Sequence, residues 1–104
     1  MNLNELTQKA LQIKSLYADF EKRKSYKAWT AEETYEGLVS DVGDLGRLVL
    51  AKEGFREMLD LNKNLEHELA EILWAVLVLS NNYNINITEA FLAEMDRLQK
   101  TLSE

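Results

Sequence analysis

Between about residues 63 and 82 the chain is apolar around most of a helix's circumference. Leu65, Leu69, Ile72, Leu73, Val76, Leu77 and Leu79 recur at helical spacing, and Trp74 and Val78 cover part of what remains. Such a helix has to be enclosed on nearly every side. A chain of 104 residues has too little other structure to enclose it. The expected fold is therefore a set of helices packed around this one, with a second subunit covering the rest.

The remainder of the sequence agrees with an all-α reading. There is no Pro and only 4 Gly, so little interrupts helix formation. Hydrophobic residues make up 46% and charged residues 29%, the balance of a globular chain, and its length suits one domain over residues 1–104. With no Cys, disulfides and thiolate metal sites are excluded. The N-terminal stretch lacks a basic segment followed by an apolar one, and no run of 18 apolar residues occurs, so neither a leader nor a membrane span is expected. A cytoplasmic location is the expectation. The net charge of −6 disfavours binding to a nucleic-acid polymer, which depends on Lys and Arg neutralising phosphates. A small phosphorylated ligand arriving with a divalent cation stays compatible with it.

Four helices follow from the periodicity. The first, over about 3–27, carries Leu3, Leu6, Ala10, Ile13, Tyr17 and Phe20 as one seam. It closes on Lys22, Arg23, Lys24 and Lys27, which suit the negative end of a helix or a phosphate-facing edge. Thr30 and Glu33 form a capping-box pattern for the second helix, 31–53, with Trp29 placed to staple onto it and Gly54 to stop it. Glycine inside a helix marks close approach by something else, which is expected near Gly37 and Gly43. A connector follows, with Met58, Leu59 and Leu61 tucked onto the helices, then the third helix at about 63–82. Asn81, Asn82 and Asn84 end it. Asn86 with Glu89 opens a fourth helix, running to about 103, whose apolar stripe is Ala90, Phe91, Met95, Leu98 and Leu102.

Acid interrupts these apolar faces at two places. At ~100° per residue, Asp41 falls within the arc of Leu38, Val42, Leu45 and Leu48, and Asp44 lies at its edge. Glu68 and Glu71 repeat the spacing on the third helix. Residues three apart project side by side, so each pair can present two carboxylates to one point. Antiparallel packing of the two helices would bring four together. Oxygen-only donors suit Mg²⁺, with Mn²⁺ as the alternative. Such a site can polarise a phosphoryl oxygen and activate water for in-line attack. Solvated acidic faces are the ordinary alternative, but neither Asp41 nor Glu68 has a cation four residues away.

The order of these segments resembles the MazG-like nucleoside triphosphate pyrophosphohydrolases, an all-α superfamily. Ser40-Asp41-Val42-Gly43-Asp44-Leu45 stands where that family has EEVGEL. His67-Glu68-Leu69-Ala70-Glu71-Ile72-Leu73-Trp74 is similar to EELADVLW, and Tyr83 to Phe91 to YGIDLEEAF. Trp29 and Thr34 resemble the family's tryptophan and threonine ahead of the first acidic helix. The resemblance implies a four-helix bundle completed as a homodimer or tetramer. It also implies Mg²⁺-dependent hydrolysis of a (deoxy)nucleoside triphosphate to the monophosphate and pyrophosphate. Asp41, Asp44, Glu68 and Glu71 would ligate the metal, one of them orienting the attacking water. The departures, Asp at 41 and 44 and Glu at 71, keep every charge while moving each carboxylate by one methylene. The alternative is a MazG-like oligomer that binds nucleotide or a protein without turnover.

Around the acids, Trp29, Tyr26 and Tyr35 offer faces to a base, although packing is the commoner use of such residues. Lys52 and Arg56, past the acidic pair, are placed to meet phosphates, although a solvated helix end is the ordinary use of such residues. Trp74 is expected at a subunit interface, and His67, the only His, at the surface.

Overall fold

A computed structural model describes residues 1–103, and among these every regular element is helical. The elements are α1 (Leu3–Arg23), α2 (Ala31–Lys52), α3 (Leu61–Asn82) and α4 (Ile87–Leu102). No helix is long and apolar enough to cross a membrane.

The helix ends are set by local chemistry. Asn2 and Asn86 accept hydrogen bonds from the N–H groups of Glu5 and Glu89, at 2.8 and 3.2 Å, and so cap α1 and α4. At the start of α2, Glu33 reaches back to the Thr30 N–H at 3.0 Å, as the capping-box pattern predicts. Three helices finish in the same paired turn, a Schellman motif. After α2, Phe55 N–H bonds Leu50 C=O at 2.9 Å and Gly54 N–H bonds Ala51 C=O at 3.1 Å, with Gly54 at φ 90°. After α3, Asn84 takes the left-handed position at φ 57°. After α1 that position falls to Ser25, at φ 59°. This turn stops α1 at Arg23, four residues short of the expected end at 27. Helix α3 begins at Leu61, two residues early, behind Asp60 in the left-handed region at φ 51°.

Helices α2 and α3 form the central hairpin. Lys52 Nζ donates to Asn62 Oδ1 at 2.9 Å near its connector, and Asp41 meets Glu68 farther along. Residue numbers that fall on one helix as they rise on the other define an antiparallel pair. Helix α1 lies across the second half of α3. The Trp74 indole N–H donates to Ala10 C=O at 3.1 Å, and Lys14 Nζ donates to Asn82 Oδ1 at 2.9 Å. Trp74 is thus engaged within the chain. The buried core, Ala10, Leu48, Ala51, Ala75, Leu77 and Val78, lies among these three helices.

The four helices do not close into a bundle within one chain. None of α4 is buried, and it meets α1 through a Thr88–Asn4 hydrogen bond of 2.9 Å. Leu69 and Leu73 of α3 remain 54% and 44% exposed. In the connector Leu59 stands out at 89% exposure rather than tucking in, because Asp60 turns the chain directly into α3. The radius of gyration is 16.7 Å, whereas a compact chain of this length reaches about 13 Å. The accessible surface is 8228 Å², against roughly 6000 Å² for a compact monomer of this mass.

Candidate active site

The hairpin brings acid from both helices together. Asp41, Asp44 and Glu68 each place a carboxylate oxygen within 4.8 Å of the others, all of them half-buried. Glu71, one turn on from Glu68, gathers with Glu68 and His67 within the same distance. Glu68 is common to both groups. The spacing of three on each helix therefore does what its geometry requires, but the four carboxylates form two overlapping triads rather than one ring.

Their partners differ. Arg47 donates to Asp44 from the next turn of α2. His67 Nε2 lies 3.2 Å from Glu71 Oε1 at an exposed position. Glu68 has no such relief, since its Oε2 is buried without a hydrogen-bond partner. Burial pushes the Glu68 carboxyl above its ordinary value, and Asp41, Asp44 and Glu71 push it further, against a smaller opposing pull from His67. An orphaned, half-buried carboxylate among like charges is the environment a divalent cation relieves. The all-oxygen donor set of the first triad fits a hard cation.

Beside the acids is a cavity of about 590 Å³ whose wall includes Asp41 and Glu71. Five rings share that wall, Tyr17, Phe20, Tyr26, Trp29 and Trp74, and Lys14 lines it too. Two edge-on contacts order these rings. Tyr17 meets Trp74 with centroids 5.9 Å apart, and Phe20 meets Tyr26 at 6.2 Å. The Trp29 ring lies against α2 at Gly37, where a Cβ would sit 3.3 Å from it. Gly37 is small because the indole occupies that space, whereas nothing approaches Gly43. Within the chain, close approach is therefore met at Gly37 and not at Gly43.

Of the other expected site residues, Lys52 points to Asn62, eight residues and about 12 Å of helix beyond Asp44. Neither Lys52 nor Tyr35 lines the cavity, while Tyr26 and Trp29 do. Periodicity alone missed Glu21. It is 8% exposed, lines the cavity, and accepts the Trp29 backbone N–H at 2.9 Å. Its signal was present: Glu21 lies four residues past Tyr17 and so continues the α1 seam.

The description "MazG nucleotide pyrophosphohydrolase domain" belongs to a family model that matches residues 21–101, more than three quarters of the chain. The chain belongs to the MazG family. The matched region contains all four acids, three of the five cavity rings (Tyr26, Trp29 and Trp74), and the whole α2–α3 hairpin. MazG membership accords with nucleotide chemistry at a site that pairs carboxylates with aromatic faces. Among curated proteins and solved structures, nothing matches the chain.

Proposed function

We propose that this MazG protein hydrolyses a nucleoside or deoxynucleoside triphosphate to the monophosphate and pyrophosphate, with Mg²⁺ or Mn²⁺. The observation that carries the reading is the continuity of the two halves of the site. Asp41 and Glu71 belong to the acidic groups and also line the aromatic cavity. A ligand with a flat base and a polyphosphate matches both at once.

In this reading Asp41, Asp44 and Glu68 hold the cation, and Glu71 completes the set after a small side-chain movement from His67. When bound, the cation neutralises polyphosphate charge and polarises a phosphoryl oxygen. The Trp29 and Trp74 rings receive the base, a contact worth about 1–3 kcal/mol per stacked base. One carboxylate of the set remains to orient water for attack in line with the departing pyrophosphate. Lys52 would act only on phosphates that extend along α2 toward the connector.

A homodimer or larger assembly is part of the proposal. The surface beyond that of a compact monomer is on the scale of an obligate interface. The uncovered Leu69–Leu73 stripe and α4 supply apolar area for it.

A second reading, nucleotide binding without turnover, draws on the division of the acids into two triads. Pyrophosphate release measured over a panel of NTPs and dNTPs with Mg²⁺ separates the two. Release that disappears in Asp41→Asn and Glu68→Gln supports hydrolysis. Metal-dependent binding with no release from any nucleotide supports the second reading, and absence of both defeats each.

A further inference from the structure

Glu21 is a carboxylate in an aromatic cavity with little to answer its charge. Its side chain is nine-tenths buried, and one oxygen accepts the Trp29 N–H at 2.9 Å. Among the described residues no Lys, Arg or His forms an ion pair with it. A carboxylate only accepts, and it has about four lone-pair sites. One backbone N–H leaves most of that capacity unused, and an uncharged Gln would serve that N–H at lower desolvation cost. The cavity Glu21 lines is walled by five aromatic rings, with Lys14, whose Nζ is engaged by Asn82, and the carboxylates of Asp41 and Glu71 also on its wall. A ligand that completes this cavity must bring a flat π-face and, on its edge, N–H donors.

We infer that Glu21 selects the base, and that the base it selects is guanine; this rests on the nucleotide reading above. Guanine carries a ring N–H and an exocyclic amino group side by side, two donors spaced to meet the two oxygens of one carboxylate. Adenine and cytosine set a single amino group beside an unprotonated ring nitrogen, whose lone pair opposes the second carboxylate oxygen. Uracil and thymine flank their one ring N–H with carbonyls on both sides. Only guanine meets an acceptor-only group without a repulsive contact. Glu21 and Asp41 line the same cavity, so a guanine held at Glu21 leaves its phosphates free to extend to the acids.

The test uses α,β-imido triphosphates of guanosine, inosine, xanthosine and cytidine, with Mg²⁺, bound to the whole protein and to Glu21→Gln. Inosine lacks the amino donor, and xanthosine replaces it with a carbonyl. The wild-type protein is expected to bind the guanosine analogue tighter than the others by at least about tenfold, the lower range for a bidentate base contact. Glu21→Gln still accepts the Trp29 N–H but now also offers an amide donor. It is expected to lose the preference for guanosine over inosine and to favour xanthosine, a change that loosened packing would not produce. Equal binding of all four by the wild type, tighter binding of cytidine, or an unchanged order in the variant overturns the assignment. If the variant does not fold by circular dichroism, the wild-type order decides alone. Binding of every base without discrimination defeats only the role of Glu21, whereas binding of none defeats the nucleotide reading with it.

Discussion

Asp41 and Glu68 meet across the α2–α3 hairpin with carboxylate oxygens within 4.8 Å, and one Glu68 oxygen is closed off from every donor. This pair makes the metal-free fold pH-sensitive in a definite direction. The Glu68 carboxyl titrates above its ordinary value of 4.5 because of burial and then its acidic neighbours. The folded state therefore holds this proton more tightly than the unfolded chain does. The resulting stabilisation is complete below 4.5 and is lost as pH rises through the raised folded value. With chelator present, the thermal midpoint of the wild type is expected to fall across that window relative to Glu68→Gln. At pH 7 the metal-free variant should be the more stable of the two. A wild-type midpoint that stays parallel to the variant's throughout would refute the assignment of the strain to Glu68.

Divalent cation reverses this order. A cation that binds only the folded protein stabilises it by about 2.7 kcal/mol at a concentration of one hundred times Kd. For a domain of this size that raises the midpoint by roughly 10–20 °C. Mg²⁺ is expected to produce such a rise in the wild type and to have little effect on Asp41→Asn or Glu68→Gln. Scanning calorimetry with and without Mg²⁺ makes the comparison, and equal rises in all three proteins would place the cation elsewhere.

Much of this site was legible because helical geometry is regular. A spacing of three fixes which side of a helix an acid occupies, so Asp41, Asp44, Glu68 and Glu71 could be grouped from sequence. The division into two triads was not legible, because it depends on side-chain placement that spacing does not fix: Asp44 stays with Asp41 and Glu68 while it pairs with Arg47, whereas Glu71 pairs with His67. The four helices were visible in apolar periodicity, and their ends only where residue type announces a turn. Gly54 and Asn84 did so, whereas Ser25 has no strong preference for the left-handed region and went unnoticed. Glu21 was hidden for a different reason. A charged residue at a seam's end reads as solvated until the chain is known to fold back over it, as Trp29 does.

Ser25 also yields a stability test away from the site. A left-handed backbone costs an L-residue about 1–2 kcal/mol, and Gly forgoes roughly 0.5–1 kcal/mol of that through its larger unfolded-state entropy. Ser25→Gly is thus expected to stabilise by about 0.5–1 kcal/mol, raising the midpoint by several degrees with nucleotide affinity unchanged. A lower midpoint would mean that the Ser25 side chain contributes contacts that outweigh its backbone strain.

Gly37 separates stability from binding. Alanine in a helix interior gains about 1 kcal/mol over glycine, but its Cβ would press the Trp29 ring from 3.3 Å. Trp29 is 55% exposed and precedes the helix, so the ring can yield. Gly37→Ala is expected to hold or raise the thermal midpoint while weakening nucleotide binding, because the displaced ring is part of the cavity wall. Titration of the nucleotide against wild type and variant reads the second effect. Unchanged affinity would remove Trp29 from the binding surface.

The uncovered face of α3 gives the last test. Leu69 and Leu73, one turn apart, form a stripe turned away from the core, and α4 adds Phe91, Leu92 and Met95, all of them exposed. If a second copy covers this stripe, light scattering returns at least twice the chain mass of 12.0 kDa. Leu73→Asp then places a carboxylate in that contact, where an unpaired charge costs several kcal/mol, on the order of a buried ion's penalty. The variant is expected to run at the mass of one chain with its helical circular dichroism retained, since Leu73 lies outside the intramolecular core. A wild-type protein that scatters as a single chain at high concentration would show instead that the open surface is tolerated by the monomer.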